Sequence, residues 1–138
     1  MIMDAVRIVI SELFLPQYVE FEAARARAFA PIELSVSSVF QFLVFALGEE
    51  IAWRAFFQRQ LSNVWQVAPV LLISSLLFSV GHLSRGNPVV VIFAVSFVFI
   101  NSVLYGVVYH NTKNAWISTI SHFAANVFEV AVMVLFLL

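Results

Sequence analysis

The chain contains no cysteine, which excludes disulfides, thiol nucleophiles and thiolate metal sites together and is silent on compartment. Charge is nearly as scarce, since 11% of the 138 residues are Asp, Glu, Lys or Arg, against ~25% in a soluble domain. Lys plus Arg number 7 and Asp plus Glu 8, for a formal net charge of -1, so no basic footprint exists and nucleic acid is excluded as a partner. No internal repeat or low-complexity tract is present. What fills the chain instead is apolar: 62% of residues are hydrophobic and 15% aromatic. A lipid bilayer is the solvent such a composition calls for, and a multi-pass protein of the cell membrane is expected.

Residues 1–31 differ from the remainder. Asp4, Arg7, Glu12, Glu20, Glu22, Arg25 and Arg27 hold seven of the fifteen formal charges there, and the first three interrupt the apolar positions that a signal peptide would need, so the segment is expected to be retained. Ile2, Val6, Val9, Ile10, Leu13 and Phe14 recur at roughly helical spacing. They predict a short helix lying in the membrane interface and ended by Pro16.

From Pro31 onward the pattern predicts an all-α, polytopic bundle of about four transmembrane helices, which makes residues 32–138 a second, membrane-embedded unit. The helices are expected at Ile32 to Leu61, Gln66 to Leu83, Pro88 to Tyr109 and Ala115 to Leu138, with Pro31, Pro69 and Pro88 near three of the starts, where a missing N–H costs least. The second and third contain no Asp, Glu, Lys or Arg and are read as spans of the ~20 residues that a crossing needs. Short turns between them favour antiparallel neighbours. Arg25, Arg27 and Arg85 against Arg59 and Lys113 lean towards a cytoplasmic N-terminus.

Glu49, Glu50 and Arg54 interrupt the first of these helices. Each charge near the bilayer centre costs ~2.5 to 3.5 kcal/mol, so three unpaired charges would cost on the order of 8 to 10 kcal/mol. Glu50 and Arg54, four residues apart, can pair along the helix; Glu49, turned ~100° away, needs partners of its own. A buried ion pair that only fixes packing would explain this triplet if it stood alone. It does not, because three helices carry polar stripes: Ser38, Gln41 and Glu49; Ser75, Ser79 and His82; Ser118, His122, Asn126 and Glu129. Polar groups in hydrocarbon must find partners or water, so these stripes are expected to converge on one interior cavity. A rise of ~1.5 Å per residue puts Arg54 and His122 ~14 Å from one membrane face and Asn126, Glu49 and His82 ~20 to 26 Å from it, at overlapping depths.

A buried Glu can serve as general base on water, a neutral imidazole can orient that water, and an Asn amide can donate to a developing oxyanion. Glu, two His and Asn therefore suffice for amide hydrolysis without a covalent intermediate. At this point a resemblance emerges. Glu49-Glu50-Ile-Ala-Trp-Arg54, Phe78-Ser-Val-Gly-His82 and His122-Phe-Ala-Ala-Asn126 resemble, in order and spacing, the three signature motifs of the CPBP family of CAAX proteases, bacteriocin-processing enzymes and abortive-infection proteins. The resemblance implies an intramembrane endopeptidase acting on a membrane-associated peptide or protein, prenylated or carrying a leader. It implies Glu49 as general base, His82 as holder of the attacking water, His122 and Asn126 as the oxyanion site, and Glu50 and Arg54 as supports. Members are described both as metalloproteases and as metal-independent glutamate proteases. No cofactor is required on this reading, although Glu49, His82 and His122 are the candidates for a Zn²⁺ site with an open position.

The family usually has further membrane helices before the Glu-Glu motif, where this chain has about thirty residues, and Ala55 stands where Gly is common. A protein of the same fold that binds a bacteriocin or another partner without cleaving it, as an immunity protein or scaffold, is the alternative. A transporter or channel subunit is a third reading, since intramembrane carboxylates also mark proton paths, and assembly into an oligomer could complete the cavity. Glu129 is expected either to line the cavity or to face the membrane surface. His110 is expected at the interface, Asn101, Ser102 and Tyr105 in helix-packing hydrogen bonds, and Trp65 and Trp116 in an interfacial belt.

Overall fold

The computed structural model describes residues 2–27 and 35–137, and every regular element among them is helical. Helices α1 (Ile2–Phe14) and α2 (Gln17–Arg27) come first. Helix α3 (Val36–Leu61) follows, in α geometry over Val36–Glu50, π geometry over Ile51–Gln58 and α geometry again over Arg59–Leu61. Then come α4 (Val67–Val80), α5 (Pro88–Thr112) and α6 (Ala115–Val132), the last extended by a π turn at Met133–Leu137. The all-α bundle expected from the sequence is the fold observed. The proposed helix start at Pro31 and Ile32 lies outside the described residues.

Local chemistry sets the boundaries. The Ser35 hydroxyl accepts from the Ser38 N–H at the start of α3. Asn87 caps α5, accepting from the Val89 N–H at 2.9 Å, with Pro88 in the first turn. Asn114 caps α6 by accepting from the Trp116 N–H, a role that short polar side chains fill well. Lys113, at φ 53°, turns left-handed and ends α5, which runs one turn past the expected Tyr109.

Among the described residues, three helices are long and apolar enough to cross a bilayer: α3, α5 and α6 with its terminal turn. The fourth expected span is shorter than its composition suggests. Helix α4 stops at Val80 after 14 residues, about 21 Å at ~1.5 Å each, short of the ~30 Å hydrocarbon core. The cause is at its end. The His82 ring donates Nδ1–H to the Phe78 carbonyl at 2.9 Å, so a side chain satisfies the oxygen that the next helical N–H would have taken, and the chain turns away.

Helix α3 packs along α6, α4 along α5, and α5 along α6, while the π stretch of α3 touches α4, α5 and α6. The interior of this bundle mixes apolar packing with buried polar groups, and its exterior is greasy. Glu50, Arg54, Gln58, Ser74, Ser102 and Thr119 are buried, whereas Phe40, Phe56, Leu72, Ile92, Ile120 and Phe136 face outward, the pattern that hydrocarbon around a bundle requires. Close approach of α3, α4 and α5 depends on Gly106. A Cβ there would stand 2.8 Å from the Leu71 side chain and 3.0 Å from the Gln58 Oε1, and the Gln58 amide donates to the Gly106 carbonyl at 2.9 Å.

The N-terminal segment departs from the expected single interfacial helix. Pro16 does end the first helix, but a second follows, and α1 rests on α5 and α6 while α2 contacts α5 and the terminal turn. Ile2, Val9, Leu13 and Phe14 face outward, while Asp4, Arg7 and Ser11 are buried against the bundle. Both faces follow from one rule: apolar groups take the lipid side, and the charged stripe goes where partners exist.

Candidate active site

The site begins in α3. Glu50 and Arg54 are fully buried and pair along the helix, with Arg54 Nε 3.3 Å from Glu50 Oε2. Arg54 also donates to the Ser102 hydroxyl on α5 at 2.8 Å and lies over the Phe78 ring, 5.4 Å from its centroid. The pair is thus tied to α4 and α5. The π stretch starts directly after Glu50; such insertions recur at functional sites.

Helix α6 brings His122 to both glutamates. Its Nδ1 lies 3.1 Å from Glu50 Oε1 and its Nε2 3.6 Å from Glu49 Oε2. The ring is wedged between aromatics: Tyr105 stacks on it, with centroids 4.7 Å apart and planes 16° from parallel, and Phe78 meets it edge-on at 6.3 Å. Phe78 also contacts the His82 ring at 4.5 Å and the Trp53 ring at 5.7 Å. Both histidines are therefore held by one buried phenylalanine. Because a carbonyl only accepts, the contact to Phe78 fixes the proton of His82 on Nδ1, and neutral His82 presents Nε2 as an acceptor.

Glu49, His82, His122, Asn126 and Glu129 all line a cavity of about 490 Å³, within the range of small-molecule and peptide pockets. Glu49 is 38% exposed, in contrast to buried Glu50. The arrangement brings together the four residues singled out as catalytic, places Glu50 and Arg54 behind them, and puts Glu129 on the cavity side. The serines of the three stripes are not in the wall. Ser79 donates to the Leu76 carbonyl and Ser118 to the Ala115 carbonyl, so local backbone absorbs hydroxyls that helical spacing alone assigned to the cavity.

Several site residues escaped the sequence reading. Tyr105, expected to make a packing hydrogen bond, is the stacking partner of His122. Arg7, Glu22 and Arg25, read as surface charges, reach the interior: Arg7 pairs with Glu129 at 2.6 Å, and Arg25 pairs with Glu22 at 2.7 Å beside the cavity. Burial pushes the Glu22 carboxyl above its ordinary range, with the Arg25 guanidinium pulling the other way. The signal was available in the polar face of α1, where Asp4, Arg7 and Ser11 recur at helical spacing. His110 meets Lys113 at the exposed end of α5, as expected of an interfacial residue.

Among the described residues no three His, Asp or Glu side chains are grouped to hold an ion. The His82 Nδ1 meets a carbonyl and the His122 Nδ1 a carboxylate, contacts that orient each ring and leave its Nε2 towards the cavity.

The family described as Type II CAAX prenyl endopeptidase Rce1-like matches residues 31–128, a range that contains all three motifs and excludes α1, α2 and Glu129. No curated protein and no solved structure matches the chain. With well over half of its length matched, the chain belongs to the Type II CAAX prenyl endopeptidase Rce1-like family, a protease family of the CPBP group whose three motifs its own residues resemble.

Proposed function

We propose that this membrane protein is an intramembrane endopeptidase that hydrolyses a peptide bond of a membrane-associated substrate with water activated by Glu49. The observation that carries the reading is the shared cavity: a half-exposed carboxylate, two histidines and an asparagine line one chamber in a lipid-facing bundle. Glu49 takes a proton as the water oxygen attacks the carbonyl carbon, while the His82 Nε2 accepts the second water hydrogen and aims the lone pair. The oxyanion receives Nε2–H of His122 and the Asn126 amide. To donate there while also donating Nδ1–H to Glu50, His122 carries both ring protons. As the C–N bond breaks, Glu49 returns its proton to the leaving amine.

Arg54 acts through Glu50. It shares the carboxylate and anchors it to Ser102, so that Glu50 stays aimed at His122. The cell membrane is the proposed location, and a prenylated C-terminus or a leader peptide fits a chamber of this size. The test is cleavage of a membrane-embedded peptide by protein in lipid vesicles. Glu49→Gln and His82→Ala each abolish cleavage and leave insertion and helical content unchanged. Turnover at the wild-type rate in Glu49→Gln removes the proposed base, whereas a wild-type protein that binds the peptide and cleaves none leaves the binding or scaffold reading in its place.

A further inference from the structure

A second void, of about 80 Å³, lies behind the catalytic cavity. Most of its wall comes from α1, α5 and α6, with Asp4, Arg7, Asn101, Tyr105, Asn126 and Glu129 among its polar groups, and Arg25 of α2 and Phe78 of α4 also contribute. It shares Arg25, His82, His122, Asn126 and Glu129 with the larger cavity, so the two chambers meet at the catalytic residues. We infer that this rear chamber is a water site, a small hydrated reservoir that keeps water against His122 and Asn126 while substrate fills the front.

Three observations carry the inference. The volume exceeds several-fold the roughly 10 to 15 Å³ that one water needs, and the lining is rich in the polar partners that a buried water requires. Arg7 is 2% exposed and ion-paired with Glu129 at 2.6 Å, yet its Nε has no hydrogen-bond partner among the described residues. Leaving such a donor dry is costly, and a bound water removes that cost. Thirdly, the polar floor is fixed in place, since the Asn101 amide donates to Asp4 Oδ1 at 2.7 Å and joins α5 to α1.

Position makes the reservoir useful. A peptide occupying the front cavity from the lipid side displaces water there, and hydrolysis then needs a supply that the substrate does not block. Arg7, Asp4 and Glu129 lie outside the region matched by the protease family, whereas Asn101, Tyr105, His122 and Asn126 lie within it, so the flanking segments complete a chamber whose remaining wall belongs to the matched region. The presence of water is independent of the proposed function; only its use in hydrolysis rests on that reading.

The absence of native cysteine makes the test direct. Single cysteines are placed at Val98, which lines the rear chamber, at Ile92, which faces outward on the same helix, and at Thr112, at its exposed end. Aqueous Ag⁺, which reaches thiols only through water, is added to the protein in vesicles. A hydrated chamber gives Val98→Cys a reaction rate within ~10-fold of Thr112→Cys and well above Ile92→Cys; a rate equal to that of Ile92→Cys overturns the inference. Val98→Phe, which fills the void, then lowers kcat by ~10-fold or more with KM nearly unchanged and the melting temperature retained. Unchanged kcat with a filled chamber overturns the reservoir role. A protein that cleaves no peptide at all defeats the protease reading, while the Ag⁺ rates still decide whether the chamber holds water.

Discussion

His122 is the residue at which the contacts of the site meet: two glutamates, a tyrosine face and a phenylalanine edge surround one imidazole. Tyr105 fixes the plane of that ring without touching the reaction, because a stacked aromatic resists tilting while leaving the nitrogens free. Tyr105→Phe keeps the stack and is expected to retain near-wild-type turnover. Tyr105→Leu loses it and lowers kcat by ~10-fold with little change in KM, measured by peptide cleavage in vesicles. The sequence exposed Glu49, Glu50, Arg54, His82, His122 and Asn126 because charged and amide groups are costly in lipid and stand out there. Tyr105 was harder to see, since an aromatic in an apolar helix has many uses and spacing distinguishes none of them.

At the scale of the helix, what matters is where α geometry is given up. Helix α3 widens into a π stretch directly after Glu50, and α4 ends where the His82 side chain caps Phe78. Neither event has a periodic signature, and so helix α4 was expected three residues too long at its end and the stretch after Glu50 was expected to be regular. Pro88, Asn87 and Asn114, by contrast, are start signals with a known mechanism, and the helices begin where they indicate. Gly106 shows how little room the packing leaves. Gly106→Ala pushes a methyl against Leu71 and the Gln58 amide, so a loss of about 1 to 3 kcal/mol is expected. Thermal unfolding in detergent checks it, and Leu71→Ala should recover part of the loss by opening space.

Across the whole molecule, buried charges find partners inside while many large apolar side chains face outward. Helix α1 follows this with Asp4 and Arg7 inward and Ile2 and Leu13 outward, whereas Tyr18 of α2 packs inward with Val90 and Ala94. The sequence reading placed the charges of α1 in water because interfacial helices commonly put them there; the bundle already held an acid, Glu129, and an amide, Asn101, to receive them. Arg7→Glu sets two buried carboxylates against each other and should destabilise the fold by roughly 3 to 5 kcal/mol. Arg7→Glu combined with Glu129→Arg should restore most of it, a rescue visible in the melting temperature. The central claim is that α3 and α6 present their polar side chains to the same reacting atom. Cleavage rates of wild type, Glu49→Gln, His122→Ala and the double variant test it in one experiment. Residues acting as a unit lose their function together, so the double variant should be no slower than the worse single one; losses that multiply would show that Glu49 and His122 act at separate places.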